Sequence, residues 1–147
     1  MRVDCKKLKE YPFEEPIFNN RGHITRRVRN GLENVLNSYT RTAIEHAKAT
    51  DNNPRNYTVT GISVVGSGAN NRVVSDLDLL VLVPGLDEVS LRNLTLILKM
   101  MYFTDRQKQE AIDVYLRKED AYPSRPSVDI TLQVSKILNK YNKKLQE

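Results

Sequence analysis

The chain has 147 residues, enough for one domain with one core. Its single cysteine, Cys5, excludes an internal disulfide framework and suits a reducing, cytoplasmic setting. Lys+Arg 23 against Asp+Glu 18 leaves a net charge of +5, mildly suited to a phosphorylated substrate or a nucleic acid, and the longest apolar runs are broken by Asp78 and Lys99, so no membrane span is expected.

Residues 1–21 are polar and interrupted by Pro12 and Pro16, which predicts an N-terminal arm with one short extended piece. Lys6, Lys7 and Lys9 cluster there; a solvated tail accounts for them, a nucleic-acid contact being the other reading. Residues 22–147 read as one domain. Ile24, Val28, Leu32, Val35, Leu36, Tyr39, Ala43 and Ala47 recur at steps of three and four, so a first helix is expected over 23–49, stopped by Asp51-Asn52-Asn53-Pro54. His23 and His46 lie on it without metal-ligand spacing and read as surface or packing residues.

Residues 57–65, rich in Thr, Val and Ile, predict a strand that ends in Gly66-Ser67-Gly68. A polar loop leads to Asp76-Leu77-Asp78, and residues 77–83 form a second strand closed by Pro84-Gly85. Strand side chains alternate, so Asp76 and Asp78 share one face. Two like charges at the head of a core strand repel each other, and burial raises the cost. A hard divalent cation with a substrate phosphate relieves the repulsion. A solvated turn is the plainer account of Ser75–Asp78; the flanking strands and the Gly-Ser turn favour the cation.

Asp87 or Ser90 caps the next helix, whose core face is Leu91, Leu94, Ile97, Leu98 and Met101. Thr104 with Gln107 resembles a capping box and predicts a further helix over 105–118, apolar at Ala111, Ile112, Tyr115 and Leu116. After a loop with two prolines, residues 127–133 alternate strictly, with Val128, Ile130 and Leu132 on one face and Asp129, Thr131 and Gln133 on the other. A closing helix follows, with Val134, Ile137, Leu138, Tyr141 and Leu145 at helical spacing. The fold class is therefore α/β (α+β): a small mixed β-sheet with helices mainly on one face and the site on the other.

An apolar strand, Gly66-Ser67, a loop, then Asp76-Leu77-Asp78-Leu79, with a later acid in Val128-Asp129-Ile130, resembles the DNA polymerase beta-like nucleotidyltransferase superfamily. The small size resembles its minimal single-domain members. Eight residues separate Ser67 from Asp76, and Gly68-Ala69-Asn70-Asn71-Arg72 stands where many relatives carry an Arg-Gly or Lys-Gly step. The resemblance implies transfer of a nucleoside monophosphate from an NTP, ATP by family frequency, to a hydroxyl of a protein, nucleic acid or small molecule. It implies Mg²⁺ or Mn²⁺ held by Asp76, Asp78 and Asp129, with Asp129 accepting the proton. Gly66, Ser67 and Gly68 would hold the phosphates, and Arg72 would supply a cation from a shifted position. Only one helix follows residue 133, so a protein partner or a homodimer is expected to complete the cleft. Two other classes fit the same residues: a catalytically silent, partner-binding subunit of the same fold, and a small basic nucleic-acid-binding protein.

Overall fold

The computed structural model describes residues 10–11, 16–70, 77–104, 109–110, 112–119 and 126–146. The element order is β1 (Glu10–Tyr11), α1 (Arg26–Ala49), β2 (Gly61–Val65), β3 (Leu77–Leu82), α2 (Glu88–Thr104), β4 (Gln109–Glu110), β5 (Ile112–Arg117), β6 (Ser127–Asp129) and α3 (Ser135–Leu145). Short 3-10 turns cover Pro54–Tyr57 and Gly66–Asn70. β1 and β4 make a small parallel pair. The main sheet has four strands in the order β5-β3-β2-β6 and is mixed: β2 runs antiparallel to β3 and β6, and β3 runs parallel to β5. The connection from β3 to β5 passes through α2, the long crossover that a parallel pair requires.

Register fixes the two faces. Ile62 and Val64 of β2, Leu77, Leu79 and Val81 of β3, and Ile112 and Leu116 of β5 share one face. They form one buried cluster with Val28, Leu32, Val35, Leu36 and Tyr39 of α1, Leu91, Leu94 and Leu98 of α2, and Leu138 and Tyr141 of α3. The three helices therefore pack on this face. The hydrophobic effect favours each such side chain by about 1.5–3 kcal/mol on full burial. The opposite face carries Ser63, Val65, Asp78, Leu80, Asp113, Tyr115, Arg117, Ser127 and Asp129.

Local chemistry sets the helix ends. Thr25 caps α1 by accepting from the Val28 amide at 3.4 Å. Asp87 accepts from the Ser90 amide at 2.9 Å at the head of α2. Tyr39 and Tyr57 are fully buried polar side chains with satisfied hydroxyls: Tyr39 donates to the Tyr57 carbonyl at 2.6 Å, and the Tyr57 hydroxyl lies 2.6 Å from His46 Nδ1. His46 also meets the Tyr57 ring edge-on, a packing role. Ile17 and Phe18, inside the expected arm, belong to the core cluster.

Two expectations are corrected. The helix expected over 105–118 gives way, among the described residues of that range, to strands: Gln109–Glu110 form β4 and Ile112–Arg117 form β5. Ile112, Val114 and Leu116 alternate with Asp113, Tyr115 and Arg117, and a strand beside β3 buries both Ile112 and Leu116 in the sheet core, where a lone helix would have buried only a thin stripe. The strand expected over 127–133 ends at Asp129. Asp129 Oδ1 accepts from the Thr131 amide at 2.8 Å and from the Thr131 hydroxyl, and this short-range capture turns the chain. Leu132 is consequently 90% exposed instead of facing the core.

Candidate functional site

The site is built at one end of the sheet, where β2 ends and β3 and β5 begin. Val65, the last residue of β2, pairs with Asp78 of β3, and Asp78 pairs directly with Asp113 of β5. Asp78 and Asp113 therefore stand side by side on the face away from the helices, both half-buried. Neighbouring strands lie about 4.8 Å apart, close enough for two carboxylates to ligate one cation. Like charges placed directly opposite each other weaken a sheet, so a cation between them removes a cost as well as creating a site.

The Gly-Ser turn follows Val65 at the same end. Gly66 has φ +74°, a left-handed conformation that a residue with a Cβ resists, and its amide donates to the Pro126 carbonyl at 3.0 Å. Ser67 comes next and is exposed, its hydroxyl open to a ligand. Gly68 is buried: a Cβ there would meet Val64 Cγ1 at 3.1 Å and Ile17 Cγ1 at 3.4 Å. Its lack of a side chain is what lets the turn lie against the core, so Gly68 serves the turn's placement at least as much as any phosphate.

The sequence-based site is only partly brought together. Gly66, Ser67 and Asp78 meet at this sheet end. Asp76 and Arg72 lie outside the described residues, as do Asp105 to Gln107 of the expected capping box. Asp129 is not beside Asp78. It sits on β6 opposite Ser63, with the whole of β2 between it and β3. Two strand spacings and a two-residue offset put its Cα roughly 12 Å from that of Asp78, too far for both aspartates to ligate one small cation. Asp129 is exposed and its side chain is spent on the turn at Thr131.

Asp113, which the structure sets beside Asp78, is an acid that the sequence reading did not single out. Its signal was present in Ile112-Asp113-Val114, an acid between apolar residues of the same form as Val128-Asp129-Ile130. The capping-box match at Thr104 assigned that stretch to a helix and hid the acid on a supposed wet face. The chemistry of the donor set suits a hard divalent ion: oxygen ligands from two adjacent strands, half-buried on the sheet face away from the helices. Among the described residues no cluster of three His, Cys, Asp or Glu side chains forms a metal site, Asp76 lying outside them. Comparison with models of protein families, with curated proteins and with solved structures finds no match. No helix among the described residues is long and apolar enough to cross a membrane.

Proposed function

We propose that the chain is a metal-dependent nucleotidyltransferase, moving a nucleoside monophosphate from an NTP to a hydroxyl acceptor with cleavage of the α–β anhydride and release of pyrophosphate, with Asp76, Asp78 and Asp113 as its carboxylates. The observation that carries this reading is the direct register of Asp78 with Asp113, on the same sheet end as the Gly66-Ser67 turn. Asp76 lies outside the described residues and enters the set on the Asp76-Leu77-Asp78 sequence pattern alone. Asp113 replaces Asp129 as the third acid.

Mg²⁺ or Mn²⁺ held by these carboxylates would neutralise triphosphate charge and lower the pKa of the acceptor hydroxyl. The chain's own residues supply the rest. Asp113, on the sheet's outer strand, would accept the acceptor's proton. Ser67 would donate its hydroxyl to a phosphate oxygen, and the Gly66 turn would bring main-chain amides close to the same group. Asp78 would hold the nucleotide end in line between the two. Positioning and fixed charge dominate this type of chemistry, which a rigid sheet end serves well.

The test is an NTP panel with Mg²⁺ or Mn²⁺ and cell extract as acceptor, read by mass shift and by labelled nucleotide transfer. Turnover that is lost in Asp78→Asn and in Asp113→Asn supports the reading. Magnesium-dependent NTP binding without turnover would instead mark a silent subunit. Salt-sensitive nucleic-acid affinity with no NTP effect would mark a basic binding protein.

A further inference from the structure

We infer that the flank formed by the head of α1 and by α3 is a nucleic-acid-binding surface, which takes the phosphate backbone of a strand along Lys136, Lys140 and Lys144. The inference does not rest on the nucleotidyltransferase reading, because it uses none of that site's residues.

The chain's charge is unevenly placed. Residues 16–32 carry Arg21, Arg26, Arg27 and Arg29 and no acid. Residues 130–146 carry Lys136, Lys140, Lys143 and Lys144 and no acid. These eight cations exceed the net charge of +5 of the whole chain, so everything outside the two segments is net negative. A basic flank on an otherwise acidic molecule is the electrostatic footprint of a surface for a polyanion. The first turn of α1 holds no acid to offset its arginines. Cations at that end oppose the helix dipole, so helix stability is not what favours them there.

Hydrogen bonds join the two segments into one surface. Gln133 Oε1 accepts from the Ile24 amide at 2.8 Å, and Gln133 Nε2 donates to the Gly22 carbonyl at 3.1 Å. Arg29 Nη1 donates to the Gln133 carbonyl at 3.4 Å, and Lys140 Nζ lies 3.0 Å from Glu33 of α1. Arg21, Arg26, Lys136, Lys143 and Lys144 are exposed beside these links. The ammonium groups of Lys140 and Lys144 stand 5.2 and 5.0 Å from the centre of the buried Tyr141 ring, which holds the two near each other. Lys136, Lys140 and Lys144 recur every four residues of α3 and so make one row about 12 Å long. One strand carries a phosphate about every 3.4 Å of axis, so the row faces about three or four phosphates.

The rest of the flank suits a nucleic acid better than a lipid surface. Asn30, Asn34 and Asn139 are exposed on the same two helices. Their amides donate and accept, as contacts to phosphate, sugar and base edges require. A helix that lies on a membrane needs an apolar face turned outward beside its basic one. The apolar stripe of α3, Leu138, Tyr141 and Leu145, is instead buried in the core. Among the described large apolar side chains that are exposed, Leu132 alone falls in these segments.

Fluorescence anisotropy of the full chain with short labelled RNA and DNA, single- and double-stranded, over a salt series tests the surface without any assay of transfer. On a single strand the logarithm of affinity should fall against that of salt with a slope of about −2 to −3, the counterions of three or four phosphates. Lys136→Ala with Lys144→Ala should weaken binding about tenfold or more at low salt and flatten the slope by about one for each lysine. Lys136→Arg with Lys144→Arg should bind like the native chain. Glu33→Gln keeps an acceptor for Lys140 but removes the flank's acid, so it should tighten binding. Lys99→Ala with Lys118→Ala removes the same charge from the α2 and β5 side and should change affinity by less than about twofold. Melting curves check that each variant is folded. Absence of binding at low salt, equal losses in the two alanine pairs, or weaker binding by Glu33→Gln overturns the inference. Phosphatidylserine vesicles bound in preference to the oligonucleotides, or polyglutamate competing as well as RNA at equal charge, overturns the assignment to nucleic acid. Loss or presence of nucleotide transfer leaves this surface untouched and bears on the proposed function alone.

Discussion

At the scale of single residues, the account divides the acids by neighbourhood. Asp78 and Asp113 face each other across two neighbouring strands, in direct register. Asp129 has a structural task in the turn at Thr131. Asparagine keeps an oxygen acceptor for that turn, so Asp129→Asn should leave both the fold and transfer intact. Gly66 is held at φ +74°, and Gly66→Ala should cost about 1 kcal/mol, measurable as a lower midpoint in urea. Asp87 gives a pH prediction. Hydrogen bonds from the Ser90 side chain and amide hold its carboxyl below the usual carboxylate range. The stabilisation is therefore present above the ordinary Asp pKa and is lost as pH falls through the lowered one. Thermal melts of Asp87→Ala should lie below those of the native chain at neutral pH, with the gap closing in acid.

At the scale of elements, most of the chain was legible and two segments were not. The steps of three and four from Ile24 to Ala47 give α1, because the stripe they make is the stripe that the sheet covers. The paired strands around Gly66-Ser67 were legible for the same reason, as runs of Val, Ile and Leu bounded by turn residues. β5 was missed because two patterns coexist in residues 104–117. A short capping-box match spoke for a helix, whereas period-two alternation spoke for a strand, and only the tertiary partner β3 decides between them. β6 was overextended because the alternation to Leu132 is real, but Asp129 and Thr131 bond to each other before the strand can continue. A proline test separates edge from centre. Val114 directs its N–H away from β3, so Val114→Pro should spare the β3–β5 ladder and keep a cooperative urea transition, which Tyr115→Pro, with its N–H toward β3, should lose. Tyr39→Phe removes a buried bond to the Tyr57 carbonyl, and should destabilise the chain by about 1 kcal/mol in denaturant melts.

At the scale of the whole molecule, one sheet serves two purposes. Its helix-covered face carries the core, and its other face gathers acids at the end where three strands begin or finish. The candidate site was half-visible in the sequence: the motif singled out Gly66, Ser67 and Asp78, which share one sheet end, while the acid that stands beside Asp78 depended on which strands are neighbours. Strand order is a property of the folded chain, and no spacing along residues 78–129 announces that β5 rather than β6 lies next to β3. The central claim is that Asp113 completes the carboxylate set. It is tested most directly by labelled NTP turnover with Mn²⁺ in Asp113→Asn and Asp129→Asn, each checked for native melting. The account predicts a loss of about a hundredfold or more in Asp113→Asn, on the scale of removing one fixed group at a reaction centre, and near-native turnover in Asp129→Asn. Turnover that survives in Asp113→Asn and vanishes in Asp129→Asn would contradict it.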